Sequence, residues 1–406
     1  MPKTCIIIGA SHAGGQAAIS LRQAGWDGDI LLIGEEDYLP YDRPPLSKDF
    51  LSGGKTIDEI LIRPEETYEM AKVEGLFGQE VKTIDRTDKL VVVGENHPLQ
   101  YDKLIIATGA RPRKLSVPGA EQEGVFYLRS ADDVLAIKTQ VSAGKRAVII
   151  GGGYIGLETA ASLTKQGMKV TALEMEDRVL QRVTAPVMSG FYKRIHEEEG
   201  VHIVENCAAT EITDNLTVVT TNGEFEADMV IIGIGVVPNM ELAKECGLET
   251  GNGIIVNEFC QTSDPDIYAI GDVAWHHSEI YGVDVRLESV PNATDMAKTA
   301  AGHLCGKGKP YDTLPWFWSD QFDLKLQIAG LSGGYDDVIL RGNPNEGRSF
   351  AAFYFKGEKL LAVDAVNRPQ EYMVGKRLIP LCLKGNKTID KKALANEDIA
   401  LKTFLK

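Results

Sequence analysis

Gly151-Gly152-Gly153-Tyr154-Ile155-Gly156 directly follows the apolar run Ala147-Val148-Ile149-Ile150. The six residues match the G-x-G-x-x-G fingerprint of a strand–turn–helix unit, in which backbone N–H groups at a helix N-terminus bind a pyrophosphate. Glu174 ends the next apolar strand, 23 residues after Gly151. A carboxylate there accepts a ribose 2′-hydroxyl and repels a 2′-phosphate. We therefore expect NADH rather than NADPH at this turn, although Arg178 is close enough in sequence to weaken the preference.

A second copy of the pattern lies near the N-terminus. Gly9-Ala10-Ser11-His12-Ala13-Gly14 also follows an apolar run, and Glu35 ends the next strand. Ser11 replaces the second glycine of the fingerprint, so this turn alone is the weaker of the two. Together with Glu35, Gly109 and Asp272, it predicts a bound FAD. Asp272 is expected to bind a ribitol hydroxyl, with an ordinary turn or helix-cap aspartate as the alternative.

The two halves of the chain repeat one order of elements, which indicates an internal duplication. The predicted elements are strand 4–8, helix 12–24 and strands 30–33 and 103–107, then strand 147–150, helix 154–167 and strands 169–173 and 229–235. Residues 262–306 return to the pattern of the first half. From about residue 317, alternating apolar runs predict an antiparallel sheet, followed by helices at 370–383 and 391–404.

The predicted fold class is therefore α/β, with two Rossmann-like dinucleotide-binding domains and a C-terminal α+β domain that contains an antiparallel sheet. The FAD-binding domain is expected to be discontinuous. The predicted boundaries are 1–113 and 238–316 for the FAD-binding domain, 114–237 for the NAD-binding domain and 317–406 for the C-terminal domain.

Composition and charge exclude several classes of function. The 406 residues carry a formal net charge of −15, which argues against a nucleic-acid partner. The N-terminus has no signal-peptide pattern and no run of about 18 apolar residues occurs, so we expect a cytoplasmic protein without a membrane span. The six cysteines occur singly and form no C-x-x-C pair. The sequence therefore predicts neither a redox disulfide nor a metal site. Residues 307–406 carry 16 Lys and Arg against 12 Asp and Glu, which is either chance or a docking face for an acidic partner.

The most distinctive local sequence is Asp42-Arg43-Pro44-Pro45-Leu46-Ser47-Lys48. Its two prolines restrict the backbone, so that a rigid segment can face a flat ring. Lys48 is expected to place a cation beside the flavin. Glu158 follows the second fingerprint on its helix, and we expect it to pair with Lys48 where nicotinamide and flavin meet. The alternatives are a solvated lysine and an ordinary helix glutamate.

Two further segments are expected to reach the flavin. Leu287-Glu288-Ser289-Val290-Pro291-Asn292 precedes a helix predicted at about 293–305, which Asn292 is expected to cap. The positive end of this helix would stabilise charge on reduced flavin, with the N–H of Val290 as the direct donor. Trp316 and Trp318 are either core aromatics or a cover over the flavin, and Trp318 is favoured for the cover.

These residues together resemble the oxygenase-coupled NADH-dependent ferredoxin reductases, which have the fold of glutathione reductase. The resemblance spans nearly the whole chain. Its motifs are residues 44–48, 107–109, 151–158, 182–186, 233–239, 288–293, 316–321 and 362–369. The last two are specific to this group and lie in the predicted C-terminal domain.

The resemblance implies FAD contacts at Ala13, Glu35, Lys48, Val81, Arg129, Asp272 and Val290, with Arg43 at a position that varies in the group. It implies hydride transfer from NADH to FAD and a 2Fe-2S ferredoxin (or rubredoxin) as the acceptor. Lys48 and Glu158 are the predicted catalytic residues. The other predicted cofactor contacts are Gly9, Gly14, Ala107, Thr108, Gly109, Gly271 and Trp318 for FAD, and Gly151, Gly153, Tyr154, Ile155, Gly156, Glu174 and Gly235 for NADH.

Two rival functions remain at this point. A disulfide reductase or peroxide-reducing oxidase needs a cysteine near the flavin, and the loop 42–48 contains none. A redox-signalling flavoprotein similar to apoptosis-inducing factor would use NADH as a conformational signal. The expected ferredoxin docking face contains Lys298 and basic residues of the C-terminal domain, namely Arg341, Lys376 and Arg377. The sequence leaves open whether the protein is a monomer or a homodimer.

Overall fold

The first glycine turn (residues 9–14) lies at the carboxyl end of the central strand of a parallel sheet. The computed structural model describes residues 3–406. Thr4–Ile8 runs parallel to Asp29–Ile33 on one side and to Lys103–Ile106 on the other. The sheet order is Ile267–Ala269, Lys103–Ile106, Thr4–Ile8, Asp29–Ile33, Val73–Leu76. The strand order reverses at Thr4–Ile8, and such a switch point is where open α/β sheets bind their ligands.

The helix that follows this turn has the predicted bounds, His12–Ala24. Gly25 ends it in the left-handed region with a φ of +103°, which costs glycine little. One face of small and apolar side chains is buried, and the helix packs on Val290–Leu304. Alanine and glycine along this face allow the two helices to approach closely.

The second glycine turn (residues 151–156) repeats this arrangement. Arg146–Ile150 lies between Lys169–Leu173 and Met229–Ile232, and all the pairs in this sheet are parallel. The sheet order is His202–Val204, Lys169–Leu173, Arg146–Ile150, Met229–Ile232, Val125–Tyr127. The helix Tyr154–Lys165 follows the turn. The predicted duplication is therefore present in the sheet topology as well as in the motifs.

The C-terminal segment forms the predicted antiparallel sheet. Its strands have the order Trp316–Gln321, Leu324–Gly330, Lys359–Val366, Phe350–Lys356, Asp337–Arg341. Phe350–Lys356 and Lys359–Val366 are buried on both faces except at one end. The helix Pro369–Leu383 packs on Lys359–Val366. The predicted fold class is thus confirmed.

The predicted helix at 391–404 is wrong in its length. The structure has a short helix at Lys391–Ala395 and a 3-10 turn at Leu401–Leu405, with irregular backbone between them. Asn396 accepts a hydrogen bond on its side chain from the N–H of Asp398 at 2.9 Å, which turns the chain out of the helical path. The carbonyls in this stretch point to the guanidinium of Arg341 instead of to helical N–H groups.

The remaining elements are short. The other helices are Glu65–Met70, Ala131–Gln140, Pro186–Glu198 and Glu241–Glu245, with 3-10 turns at Pro44–Ser47, Asp58–Ile60 and Gly271–Val273. The other strands are Val81–Asp85, Leu90–Val93, His97–Gln100, Ala110–Pro112, Ala209–Ile212, Thr217–Thr220, Gly223–Glu226, Val236–Pro238, Ile254–Val256, Ala274–Ser278 and Val283–Val285. Over residues 3–406, no helix is both long and apolar enough to cross a bilayer.

By their internal contacts, the residues fall into two units. The first unit contains residues 3–42, Ile57–Arg111 and Val237–Pro315. The second unit contains Arg43–Thr56, Pro112–Val236 and Trp316–Lys406. The three-domain boundaries expected from the sequence stay a prediction. Each unit contains one glycine turn, and the loop with Lys48 groups with the second.

Candidate active site

The first glycine turn requires glycine at both of its ends. Gly9 has a φ of +108°, and a Cβ there would overlap the carbonyl oxygen of Ala107. A Cβ on Gly14 would overlap the carbonyl oxygen of Gly9. Ser11 is the helix N-cap in extended conformation, and its side chain makes no capping hydrogen bond. The N–H groups of the first helical turn are therefore not capped by Ser11 and suit an anionic ligand.

The second glycine turn gives a direct test of whether a pyrophosphate fits. Gly151 and Gly156 are required by packing, since their Cβ atoms would overlap the carbonyl oxygens of Gly233 and Gly151. A Cβ on Gly153, in contrast, would meet no atom within 4 Å. The protein itself does not need glycine at this position, so its bare backbone is open to a group from outside. This is the close approach that a pyrophosphate at the helix N-terminus requires, and the residues present fit a dinucleotide.

The acidic residues at the two strand ends differ in their partners. Glu35 is exposed after the strand Asp29–Ile33, whereas its neighbour Glu36 accepts a hydrogen bond from Tyr41. Glu174 accepts hydrogen bonds from the N–H groups of Gly152 at 2.7 Å and Glu176 at 2.9 Å. These two bonds fix the Glu174 carboxylate beside the second turn.

Arg178 is held within its own loop. Its guanidinium donates to the carbonyls of Thr184 and Gln181, both at 3.0 Å, and to the Ser189 hydroxyl at 2.6 Å. Arg178, which weakens the preference for NADH expected from the sequence, is thus held in place by three hydrogen bonds within its own loop.

Lys48 and Glu158 form the ion pair expected from the sequence. Lys48 Nζ lies 2.6 Å from Glu158 Oε2, and Glu158 is 3% exposed in the helix Tyr154–Lys165. The same oxygen accepts a hydrogen bond from Ser47 Oγ at 2.6 Å, and Oε1 accepts one from Ser319 Oγ at 2.6 Å. Lys48 Nζ also donates to the carbonyl of Pro44 at 3.1 Å. The sequence predicted the pair and missed both serines.

Three hydrogen bonds with Asn239 stabilise Thr108 and Gly109, which follow the strand Lys103–Ile106. Thr108 Oγ1 donates to the Asn239 carbonyl at 2.6 Å, and Asn239 Nδ2 donates to the Thr108 carbonyl at 2.9 Å. The N–H of Asn239 donates to the carbonyl of Gly109 at 2.9 Å. Two motifs that are distant in sequence thus stabilise one loop, and Ala107 is buried just before it.

Gly271, Asp272 and Val290 lie at the starts of two helical elements, the 3-10 turn Gly271–Val273 and the helix Val290–Leu304. A Cβ on Gly271, whose φ is +76°, would lie 3.0 Å from the Cβ of Ala13. Asp272 accepts a hydrogen bond on its carbonyl from Arg286 Nη1 at 3.1 Å. Val290 is the first residue of the helix Val290–Leu304, so its N–H is at the positive end, as the FAD prediction requires.

The predicted cap of this helix is wrong. Ser289, not Asn292, is the N-cap, and Ser289 Oγ accepts a hydrogen bond from the N–H of Asn292. Asn292 is inside the first turn and buried, where it donates to the Leu287 carbonyl and accepts from the Tyr311 hydroxyl. Pro291 stands in the first turn, a position that suits proline because its missing N–H is not needed there.

The other predicted contacts occupy several environments, and their roles stay predictions. Arg43 Nη1 donates to the Arg129 carbonyl at 2.6 Å, and Val81 is buried at the start of its strand. Trp318 is half-buried, with its ring centroid 5.6 Å from that of Trp316. The remaining three are Tyr154, whose ring lies 5.1 Å from that of Phe317, Ile155, which is 47% exposed, and Gly235, which has a φ of +100°.

A buried carboxylate that the sequence did not single out joins two of the motifs. Asp364 Oδ2 accepts hydrogen bonds from Tyr354 at 2.5 Å and from Thr184 at 2.7 Å. Burial raises the pKa of Asp364 to about 6. Thr184 belongs to the motif 182–186 and Asp364 to the motif 362–369. The hydrogen bond between them therefore joins these two motifs in the folded protein.

The cysteines have the environment of packed side chains. Each of the six, all within residues 3–406, is a free thiol. Cys5 lies fully buried in the strand Thr4–Ile8, and desolvation raises the pKa of its thiol well above the usual value. A thiolate nucleophile is therefore disfavoured at Cys5.

One predicted docking residue is wrong. Arg341 is 5% exposed, and its guanidinium donates to backbone carbonyls of the segment 394–399, so it cannot contact a partner. Lys376 places its ammonium 4.7 Å from the ring centroid of Trp316, and Arg377 is exposed. Lys298 is exposed and lies 3.2 Å from Asp295, one turn earlier in the same helix.

Comparison with known proteins agrees with this geometry. A family model described as pyridine nucleotide-disulphide oxidoreductase matches residues 3–297, and one described as reductase C-terminal matches residues 316–405. Putidaredoxin reductase CamA of Pseudomonas putida is 42% identical over 98% of this chain and 96% of its own. The 5,5'-dehydrodivanillate O-demethylase ferredoxin reductase subunit of Sphingobium sp. is 42% identical over 98% of this chain and 97% of its own.

A solved structure covers the same length. The reductase in the covalent putidaredoxin reductase–putidaredoxin complex superposes with a TM-score of 0.95 at 40% identity, covering 99% of this chain and 98% of that one. The first family model covers both glycine turns and the second covers the C-terminal sheet, and the match to the solved structure extends over both regions. The chain therefore belongs to the pyridine nucleotide-disulphide oxidoreductase family, and within it to the group of putidaredoxin reductase-like ferredoxin reductases.

Proposed function

We propose that the protein is an NADH-dependent ferredoxin reductase that contains FAD and supplies electrons to an oxygenase through a 2Fe-2S ferredoxin or a rubredoxin. The observation that carries the proposal is the pair of equivalent glycine turns, of which the second leaves Gly153 open to a ligand. The relatives include a putidaredoxin reductase and the ferredoxin reductase subunit of an O-demethylase, and both support the same kind of acceptor. The free thiols suit the reducing cytoplasm, where we place the protein.

In this proposal each residue has a defined task. The first turn, with Glu35, Asp272 and the N–H of Val290, holds FAD, and the second turn, with Glu174, holds NADH. Bound FAD supplies the chemistry of accepting two electrons from a nicotinamide and releasing them singly. The protein binds and orients the two cofactors, and Lys48 keeps a positive charge in place through its bond to Glu158.

A ferredoxin panel tests the function. FAD-loaded protein with NADH is expected to reduce cytochrome c only when a ferredoxin or rubredoxin is added, because the haem protein reports single electrons leaving that carrier. Reduction of the bound flavin by NADH without stimulation by any carrier would refute the reductase proposal. Reduction of added disulfides or peroxide at the same rate would favour the rival classes.

We expect Glu174 to determine the preference for NADH. Glu174→Gln removes the charge at nearly constant size, and the ratio of kcat/KM for NADPH to that for NADH should rise about tenfold, the equivalent of about 1.4 kcal/mol. Steady-state kinetics with both nucleotides measures the ratio. Glu176→Gln is the matched control, since it removes a carboxylate two residues away, and it should change the ratio less than about twofold. An unchanged ratio in the Glu174 variant would show that this carboxylate does not face the ribose.

We expect Lys298 to assist docking of an acidic carrier. Lys298→Glu should raise the KM for ferredoxin about threefold at low salt and flatten its dependence on ionic strength, because rim charges act mainly on association. Lys169→Glu is the matched reversal, since Lys169 is exposed at the amino end of its strand. Identical salt dependence in the two variants would remove Lys298 from the docking face.

A further inference from the structure

Glu158 is the end of a chain of buried side-chain hydrogen bonds. Ser319 Oγ donates to Glu158 Oε1 at 2.6 Å, and Gln321 Nε2 donates to Ser319 Oγ at 3.1 Å. Gln321 Oε1 lies 2.8 Å from His196 Nε2. All four side chains are at most 3% exposed. Ser319, Gln321 and His196 are called the Glu158 relay below.

The relay has a single direction. A carboxylate only accepts hydrogen bonds, so the one hydroxyl proton of Ser319 points to Glu158. The lone pairs of Ser319 Oγ then accept a hydrogen bond from the amide nitrogen of Gln321, so the amide oxygen of Gln321 faces His196. Because that oxygen only accepts hydrogen bonds, His196 Nε2 must carry a proton. Burial lowers the pKa of His196 to about 4, so its ring is neutral and that proton is the only one. His196 Nδ1 has no hydrogen-bond partner among residues 3–406, which also suits a nitrogen without a proton.

Local structure explains how the relay is assembled. Ser319 and Gln321 alternate along the strand Trp316–Gln321, so their side chains point to the same face. His196 comes from the helix Pro186–Glu198, and Glu158 from the helix Tyr154–Lys165. Three elements thus contribute polar side chains to one buried chain of hydrogen bonds. Apolar side chains at these positions could pack there without needing any hydrogen-bond partner. Each hydrogen bond of this kind adds a modest amount of net stability, and a buried chain whose members are satisfied also fixes their orientation.

We propose that Ser319 is a positioning residue for hydride transfer, and that Gln321 and His196 fix the direction of its hydroxyl so that the Glu158 carboxylate keeps one orientation and holds Lys48 in one place. The inference rests on the proposed function, because it assigns the Lys48–Glu158 pair to hydride transfer. Glu158 Oε2 is bonded to Lys48 and Ser47, and Oε1 is bonded to Ser319. Ser319 is therefore the donor that fixes Oε1, and without it the carboxylate is held at Oε2 and is freer to rotate.

Removal of the Ser319 hydroxyl has a specific consequence. In Ser319→Ala, Oε1 becomes a buried carboxylate oxygen that has lost this donor, and an unsatisfied buried acceptor favours rotation of the Glu158 side chain. Rotation loosens Lys48. We expect the reactivity of Lys48 towards an amine-acetylating reagent to rise about tenfold, the equivalent of one lost charged hydrogen bond. The limiting rate of flavin reduction by NADH should fall by about the same factor, with little change in the Kd for NADH.

The experiment uses FAD-loaded full-length protein. Competitive acetylation with mass spectrometry of the Lys48 peptide is done without NADH, and anaerobic stopped-flow reduction gives the limiting rate and the Kd. Ser319→Thr keeps the hydroxyl and should restore both values. Thr159→Val is the matched control, because Thr159 lies next to Glu158 on the same helix, and its buried hydroxyl donates to the Ile155 carbonyl outside the relay. Thermal unfolding and FAD content identify variants that fail to fold.

The outcomes separate the two proposals. The positioning role of Ser319 would be overturned if Lys48 in Ser319→Ala were labelled at the wild-type rate. Equal effects in Thr159→Val would overturn it as well. Wild-type labelling in Gln321→Met would overturn the part assigned to Gln321 and His196. If the wild-type flavin is not reduced by NADH, the proposed function fails, and the labelling measurement still decides whether the relay holds Lys48.

Discussion

Replacing Glu158 by alanine will slow the reduction of bound flavin by NADH about 10²-fold. Within residues 3–406, the variant leaves Lys48 Nζ with the Pro44 carbonyl and the Ser47 hydroxyl as its hydrogen-bond partners, and Ser319 without its acceptor. A misplacement of about 1 Å at a reacting centre is sufficient for a loss of this size. Anaerobic stopped-flow spectroscopy of the FAD-loaded variant measures the limiting rate.

The control for this variant is an exposed glutamate of the same unit. Glu197→Ala, on the helix Pro186–Glu198, should reduce flavin at the wild-type rate. Glu158→Gln keeps the side-chain size but removes the charge, so its rate should lie between those of the wild type and Glu158→Ala. Unaltered reduction kinetics in Glu158→Ala would show that the ion pair is structural and has no part in hydride transfer.

The features that the sequence predicts correctly are those determined by local chemistry. Gly9 and Gly151 each adopt a left-handed backbone between a strand and a helix, and such a turn is recognisable from six residues. The bounds of the helix His12–Ala24 follow in the same way, since Gly25 ends it. Buried strands such as Thr4–Ile8 are recognised because they are continuously apolar.

The errors arise where a polar residue has a partner that is distant in sequence. Arg341 looks like a surface charge, and only the fold shows that it lies under the backbone of the segment 394–399. Asn292 looks like a cap, but in the fold its side chain is bonded to the Leu287 carbonyl and to the hydroxyl of Tyr311, 19 residues away. The polar alternation of Ser319 and Gln321 in an aromatic strand was the available signal for the relay. Its meaning depended on Glu158 and His196, which come from other elements.

Replacing Arg341 by methionine is expected to have the largest effect on stability. Arg341 Nη1 and Nη2 donate to the carbonyls of Leu394, Asn396, Glu397 and Ile399 at 2.6 to 3.2 Å. Arg341 Nε also lies 3.4 Å from Glu371 Oε1, and both side chains are 6% exposed. Loss of the guanidinium leaves a buried carboxylate and several buried carbonyls without these donors. The expected loss of unfolding free energy is about 3–5 kcal/mol.

Chemical denaturation and limited proteolysis of the FAD-loaded variant together test this role. The segment 391–406 should become the first site of cleavage, because Arg341 binds four backbone carbonyls of this segment, from the end of the short helix to the 3-10 turn. Arg377→Met, on the exposed face of the helix Pro369–Leu383, should stay within about 0.5 kcal/mol of the wild type. Arg341→Lys should lose most of the stability as well, since one ammonium cannot reach carbonyls that a planar guanidinium spans. If Arg341→Met unfolds and is cleaved like Arg377→Met, the C-terminal segment is held by its apolar contacts alone.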